Sequence, residues 1–194
     1  LLASSAASDV YKRQVVHGFR QQSQAGLGGL DQSVLQIVPE YVITEQADQQ
    51  AHSQNGTQRE KEDGEIAVLK VSAVTKGYFI PGECKVLDDQ DTIKKYVSPQ
   101  AGDLLFSRAN TREMVGATAV ITQDYPEHIL PDKLWKIRFL DKANVWYMKY
   151  VLSSESIRSI FSSVSTGTSG SMFNVSMDKF KSKEKYLLRI RYML

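Results

Sequence analysis

GDLLFSRANTREMVGATAVIT, residues 102–122, sets two short apolar runs on either side of a polar excursion. Gly102-Asp103 is turn chemistry, and Leu104-Leu105-Phe106 that follows is strand-like. Val115 to Thr122 is rich in β-branched and small residues and reads as a second strand. Ser107 to Met114 is then the loop between two strands. Working downstream, Leu134 to Leu140 (LWKIRFL) interleaves apolar and basic residues, the mark of a half-buried strand, and the expectation sets Lys136 and Arg138 opposite Leu134. Working upstream, Ile66 to Val74 is strand-like, Lys76-Gly77 is a turn, and Tyr78-Phe79-Ile80 resumes before Pro81-Gly82, which predicts a hairpin. Half-buried antiparallel strands are the expected body of the fold.

Beyond that body the signals change. In Asn144 to Ser154, Val145, Met148 and Leu152 recur at helical spacing, and Ile157, Ile160, Phe161 and Val164 predict a second helix over Glu155 to Val164 with Ser154 as N-cap. Ser165 to Ser171 (STGTSGS) is a small-residue loop, and Asn174-Val175-Ser176 a brief extended piece with Ser176 capping a last turn through Phe180. Nearer the N-terminus, Val34 to Ile43 is apolar with Pro39 inside it, which suggests an edge strand or two short pieces. Thr44 to Asp63 has no large apolar residue and is expected to be an exposed loop. The predicted class is α+β.

The chain has 194 residues, 42% hydrophobic and 24% charged, room for one domain and a packed core. No run approaches the length of a membrane-spanning helix, and no secretory leader opens the sequence, so the expected compartment is the cytoplasm. Cys84, the single cysteine, leaves no internal disulfide or multi-cysteine zinc site, and His17, His52 and His128 have no metal-ligand spacing. The net charge of +2 is unevenly spread: residues 15–63 hold three basic against seven acidic side chains, residues 64–194 nineteen against fourteen. Phosphate-loop, dinucleotide, HExxH and GxSxG signatures are absent, so the sequence is poorly equipped as an enzyme.

Binding chemistry concentrates in the loop. Arg108, Asn110, Thr111 and Arg112 stand within seven residues of Phe106. Arginine forks onto guanine or phosphate, asparagine onto adenine, and hydroxyls reach phosphate oxygens. On composition alone an ordinary polar loop is the simpler account. The loop Thr166 to Ser171 offers glycines and small hydroxyls to a phosphate or is a plain connector, and Lys133, Lys136 and Arg138 are a phosphate stripe or a solvated face.

Together these segments resemble a family. Gly102 to Thr111, Val115-Gly116 and Leu130 to Lys136, followed by Tyr150 to Ser154, Arg158 and Thr166 to Ser176, are similar in order and spacing to the target-recognition domain of type I restriction-modification specificity subunits. The resemblance covers residues 64–186. It implies a curved, barrel-like antiparallel sheet with C-terminal helices, in a non-catalytic domain that reads one half of a split DNA site. It implies as partners double-stranded DNA, methyltransferase (modification) subunits and restriction subunits. The chain itself then takes no cofactor; S-adenosylmethionine, ATP and magnesium belong to the partners. Under this reading Arg108, Asn110 and Arg112 face base edges, while Lys76, Thr111, Lys133, Lys136, Thr168 and Ser169 position the domain on phosphates.

The chain departs from the family pattern in carrying one such domain, in lacking a long helix with a sustained apolar stripe, and in its tail Lys181 to Leu194. Leu1 to Gln14 is similar to translated adapter sequence and is expected to be foreign to the fold; residues 15–63 form an edge strand and polar loop, 64–186 the recognition core, and 187–194 a doubtful tail. A fragment is expected, with a dimerising half-subunit as the alternative. The competing functional reading is a non-catalytic protein-interaction module whose basic surface is incidental.

Overall fold

The structure, a computed structural model, describes residues 11–16, 41–46, 56–88, 96–139, 144–167 and 172–183. Among the described residues eleven strands run in chain order: β1 (Tyr11–Val16), β2 (Tyr41–Gln46), β3 (Gly56–Thr57), β4 (Ala67–Leu69), β5 (Cys84–Leu87), β6 (Leu104–Ser107), β7 (Ala109–Asn110), β8 (Thr118–Val120), β9 (His128–Ile129), β10 (Leu134–Phe139) and β11 (Phe173–Asn174). The helices are α1 (Val145–Ser153), α2 (Glu155–Val164) and α3 (Met177–Lys181). The class is α+β. Among the described residues the strands form sheets ordered β1-β2-β10-β6-β8, β3-β5-β4-β9 and β11-β7, and none closes into a barrel.

The five-stranded sheet is antiparallel throughout, and its strands β6, β8 and β10 carry buried side chains on both faces. Along β6, Leu104 and Phe106 turn to one side and Leu105 to the other. On the first side the rings of Phe106, Trp135, Phe161 and Phe180 meet at centroid distances of 5.0 to 5.8 Å, edge-on or stacked. This packs α2 and α3 on the sheet, and Val145 and Leu152 bring α1 into the same cluster. On the other side Leu105, Ala119 and Leu134 join Ala67, Leu69 and Val86 of the four-stranded sheet. Helices, sheet and second sheet thus form layers, and two-sided burial explains why the strands read as nearly continuous apolar runs.

That burial corrects the expected facing of β10. Leu134 lies on the side of Lys136 and Arg138, while Trp135 and Ile137 face the helices. The pleat alternates with a period of two, so Leu134 and Lys136 cannot be opposed. Lys136 and Arg138 are held there by Asp103, which is fully buried: Arg138 Nε donates to Oδ1 at 2.7 Å, and Lys136 Nζ stands 3.3 Å from Oδ2.

Other expectations shift. The expected hairpin does not form: β4 pairs antiparallel with β5, beyond Pro81-Gly82, instead of with Tyr78–Ile80, and β4 stops at Leu69 while Val71–Val74 is a 3-10 turn rather than strand. Tertiary bonds outweigh the β-branched composition: Lys70 N–H donates to Glu83 C=O at 2.8 Å, and Ser72 Oγ donates to the Glu83 carboxylate at 2.6 Å. Tyr78-Phe79-Ile80 is a bend, not strand. β9 joins β4 in parallel, an exception to the antiparallel rule. β2 includes Thr44–Gln46 and is internal, paired with β1 and β10, with Ile43 fully buried; residues 34–40 lie outside the described residues. β1 pairs along its length with β2, so the expected boundary at residue 14 falls inside a strand.

The helices follow the periodicity closely. Asn144 caps α1, its Oδ1 accepting from Trp146 N at 2.9 Å and Tyr147 N at 3.3 Å, and Ser176 Oγ accepts from Lys179 N at the start of α3. Ser154 has the backbone of a cap for α2 but its hydroxyl donates back to Val151 C=O. No helix among the described residues is long and apolar enough to cross a membrane.

Candidate nucleic-acid interface

The loop after β6 is built from its own polar groups. Ser107 and Asn110 are buried; Asn110 Nδ2 donates to Ser107 Oγ at 3.2 Å, and Asn110 Oδ1 accepts from Thr111 N at 2.9 Å. The amide that the sequence offers to adenine is therefore committed to holding the turn. Met114 N and Val115 N both donate to Thr111 C=O, closing the loop, and Gly116, at φ +82°, returns the chain to β8 through a bond from its N–H to Ser107 C=O.

Main-chain pairing then draws the distant segments in. Arg108 N donates to Lys133 C=O at 3.0 Å, and Arg108 C=O accepts from Val175 N at 2.8 Å. β7 pairs with β11, placing Asn110 opposite Phe173, and Asn174 bridges to Thr166 by bonds of 2.8 and 2.9 Å. Gly167 is needed at this crossing because a Cβ there would stand 2.5 Å from Met172 C=O. So Arg108, Thr111, Arg112, Lys133 and Thr166-Gly167, separate in sequence, belong to one surface. Thr168 and Ser169 lie outside the described residues.

On this surface two guanidinium groups rest on rings. Arg108, half-buried, lies 5.6 Å from the Trp135 centroid, and Arg112, exposed, lies 4.3 Å from that of Phe173. Each ring narrows the orientations of its guanidinium; Arg112 is exposed, whereas Arg108 Nε is buried against the core. Arg158 of α2 adds support by donating to Glu113 C=O, and its burial lowers its pKa from the usual guanidinium value. Neither ring was expected in this role. Phe173, an aromatic beside a glycine- and serine-rich loop, is the sequence signal for it; Trp135 gives none, being also a core residue.

Two expected contributors lie elsewhere. Lys136 points to the face of β10 opposite Trp135, where its Nζ also donates to Ser98 C=O and Gln100 Oε1 at 3.1 Å. Lys76 is exposed on the turn after the 3-10 segment, beside Gly77, whose Cβ position is 3.9 Å from Lys149 Nζ of α1.

A separate cleft of about 610 Å³ opens on the four-stranded sheet, lined by Arg59, Lys61, Lys70, Glu83, Cys84 and His128 among others. Its cations are neutralised: Arg59 by Glu65, Lys61 by Glu127, Lys70 by Glu83. The Arg59 hydrogen bonds lower the Glu65 carboxyl to about 2. Burial raises the Cys84 thiol pKa and lowers that of His128. Comparison with protein families and with curated proteins finds no match for this chain.

Proposed function

We propose that this chain is a non-catalytic reader of duplex DNA, the target-recognition domain of a type I restriction-modification specificity subunit, working in the cytoplasm. The observation that carries the reading is the pair of arginines shelved on Trp135 and Phe173 at one continuous surface. Pre-oriented guanidinium forks match the O6 and N7 acceptors of guanine in the major groove, and they match phosphate equally well at the rim. In this assignment Arg108 and Arg112 read base edges. Lys133, Thr111 and the loop from Thr166 through Thr168 and Ser169 lie along phosphates, while Asn110 shapes the turn. Lys76 and Lys136 take no part in base readout.

The same proposal has the sheets wrap as a curved, barrel-like surface in the intact subunit, and has the chain direct separate modification and restriction subunits. S-adenosylmethionine, ATP and magnesium act on those subunits, so this chain needs only to bind and orient the duplex. The test mixes the purified chain with a modification subunit and randomised duplex DNA, then sequences what is retained. Enrichment of one half-site is expected. A folded complex that enriches none overturns the reading in favour of a protein-interaction module.

A further inference from the structure

The exposed face of α1 is a second unusual surface. Its buried side is accounted for by Val145, Val151 and Leu152, yet Trp146 is 56% exposed and Tyr150 62%. Tyr78, on the turn that ends the 3-10 segment, is 58% exposed. These three rings and Met114 are the large apolar side chains left open among the described residues. Positions 146 and 150 lie one turn apart on one side of the helix, and Lys149 lies on the flank of that pair. The Lys149 head group reaches to 3.9 Å from the Cβ position of Gly77, which joins the Lys76–Tyr78 turn to the same patch. The α1 sequence, VWYMKYVLS, contains no acidic residue. Glu83, whose carboxyl feels the Lys76 charge, is itself ion-paired with Lys70.

We propose that Trp146, Tyr150 and Tyr78, with Lys149 and Lys76, form a binding platform for single-stranded nucleic acid. Rings left open to solvent and interleaved with lysines combine the two contacts that such strands offer, base faces for stacking and phosphates for cations. A protein hot spot would instead concentrate its aromatics in a centre depleted of charge, with cations at the rim. Duplex DNA is the poorer fit, because its base faces are already covered by their neighbours. Ring positions one helical turn apart, about 5 to 6 Å between Cβ atoms, suit bases opened beyond the roughly 3.4 Å step of a stacked strand. The platform involves none of the residues assigned to duplex readout; Lys76, expected from the sequence to lie along duplex phosphates, is moved to the single strand.

The chain's two tryptophans give a direct readout, since Trp135 is fully buried and Trp146 is exposed. The full chain is titrated with a 20-nucleotide oligothymidylate at low salt while tryptophan emission and the anisotropy of labelled oligonucleotide are followed. Saturable quenching is expected, weakening as salt rises. Tyr150→Ala combined with Lys149→Ala is expected to weaken binding at least tenfold with the melting temperature unchanged. Trp146→Phe should silence the quench while anisotropy still reports binding. Arg108→Ala and Arg112→Ala should leave this titration unaltered, which separates it from half-site selection: either activity can fail alone. The proposal is overturned by absence of binding at micromolar chain, by an unaffected Tyr150/Lys149 variant, or by a 20-base-pair duplex that binds the Arg108→Ala/Arg112→Ala chain as tightly as the oligothymidylate does. Tryptophan shielding that rises with protein concentration alone, without oligonucleotide, would assign the face to self-association and overturn it as well.

Discussion

Arg108 and Arg112 differ from the neighbouring lysines in having a ring beneath them, and that difference is measurable. In the proposed complex, Arg108→Ala should cost about 1 to 3 kcal/mol and relax preference at one base pair, read from the retained sequences. Lys133→Ala should weaken all sequences alike and reduce the salt slope by about one; a base-specific loss at Lys133 would contradict the assignment. His128 gives a prediction independent of DNA. Its folded pKa lies below the ordinary 6.5 because burial penalises the charged ring. The unfolded chain therefore takes up a proton first as pH falls. The stability contribution is present above about pH 6.5 and is lost as pH drops toward the folded value, by at most ~1.4 kcal/mol per pH unit. Urea midpoints at pH 7 and pH 5 should differ less for His128→Gln than for the parent chain, and an identical difference would refute the account. The loop residues were legible as binding chemistry because residue type alone shows donors and acceptors. That Asn110 turns inward was not, since its partners Ser107 and Thr111 are also ordinary loop residues.

At the scale of elements, periodicity exposed the helices and misjudged some strands. Val145 and Leu152 repeat at helical spacing and lie on the core, and Asn144 caps the first turn of α1, whereas Ser154, the cap expected for α2, makes no side-chain cap bond. Asn144→Ala should lower stability by about 1 kcal/mol, seen as a reduced urea midpoint with unchanged slope. Ile66 to Val74, by contrast, has strand composition throughout, and its division into β4 and a 3-10 turn depends on bonds to Glu83 from a later segment. No local pattern contains that information. Gly116 is another element-scale constraint: its φ is +82° and a Cβ would sit 3.1 Å from the Phe161 ring. Gly116→Ala should cost about 1 to 3 kcal/mol by thermal or urea unfolding, and a neutral result would mean that α2 yields more readily than its packing implies.

Across the whole molecule the central sheet lies between helices on one side and the second sheet on the other. The period of two already sets Leu134, Lys136 and Arg138 on one face of LWKIRFL; two-sided burial hides only which of the two faces meets the helices. On the face of β10 away from the helices, Lys136, largely covered, and Arg138, partly exposed, both pair with the buried Asp103 carboxylate as counter-charge. Asp103→Ala leaves both without it, and a loss of about 3 kcal/mol in urea unfolding is expected, whereas a surface carboxylate would cost less than 1. The α+β class was legible from strand and helix patterns together; the parallel β4–β9 pair was not, because it joins short segments far apart in sequence. The β7–β11 pairing has a consequence for evolution. The turn is fixed by main-chain bonds and by the Asn110 amide, so the exposed side chains at 111 and 112 are not what maintains its shape. Such an arrangement lets mutation exchange the outward letters while the frame that displays them persists, and new binding preferences become accessible by single steps without passing through unfolded intermediates.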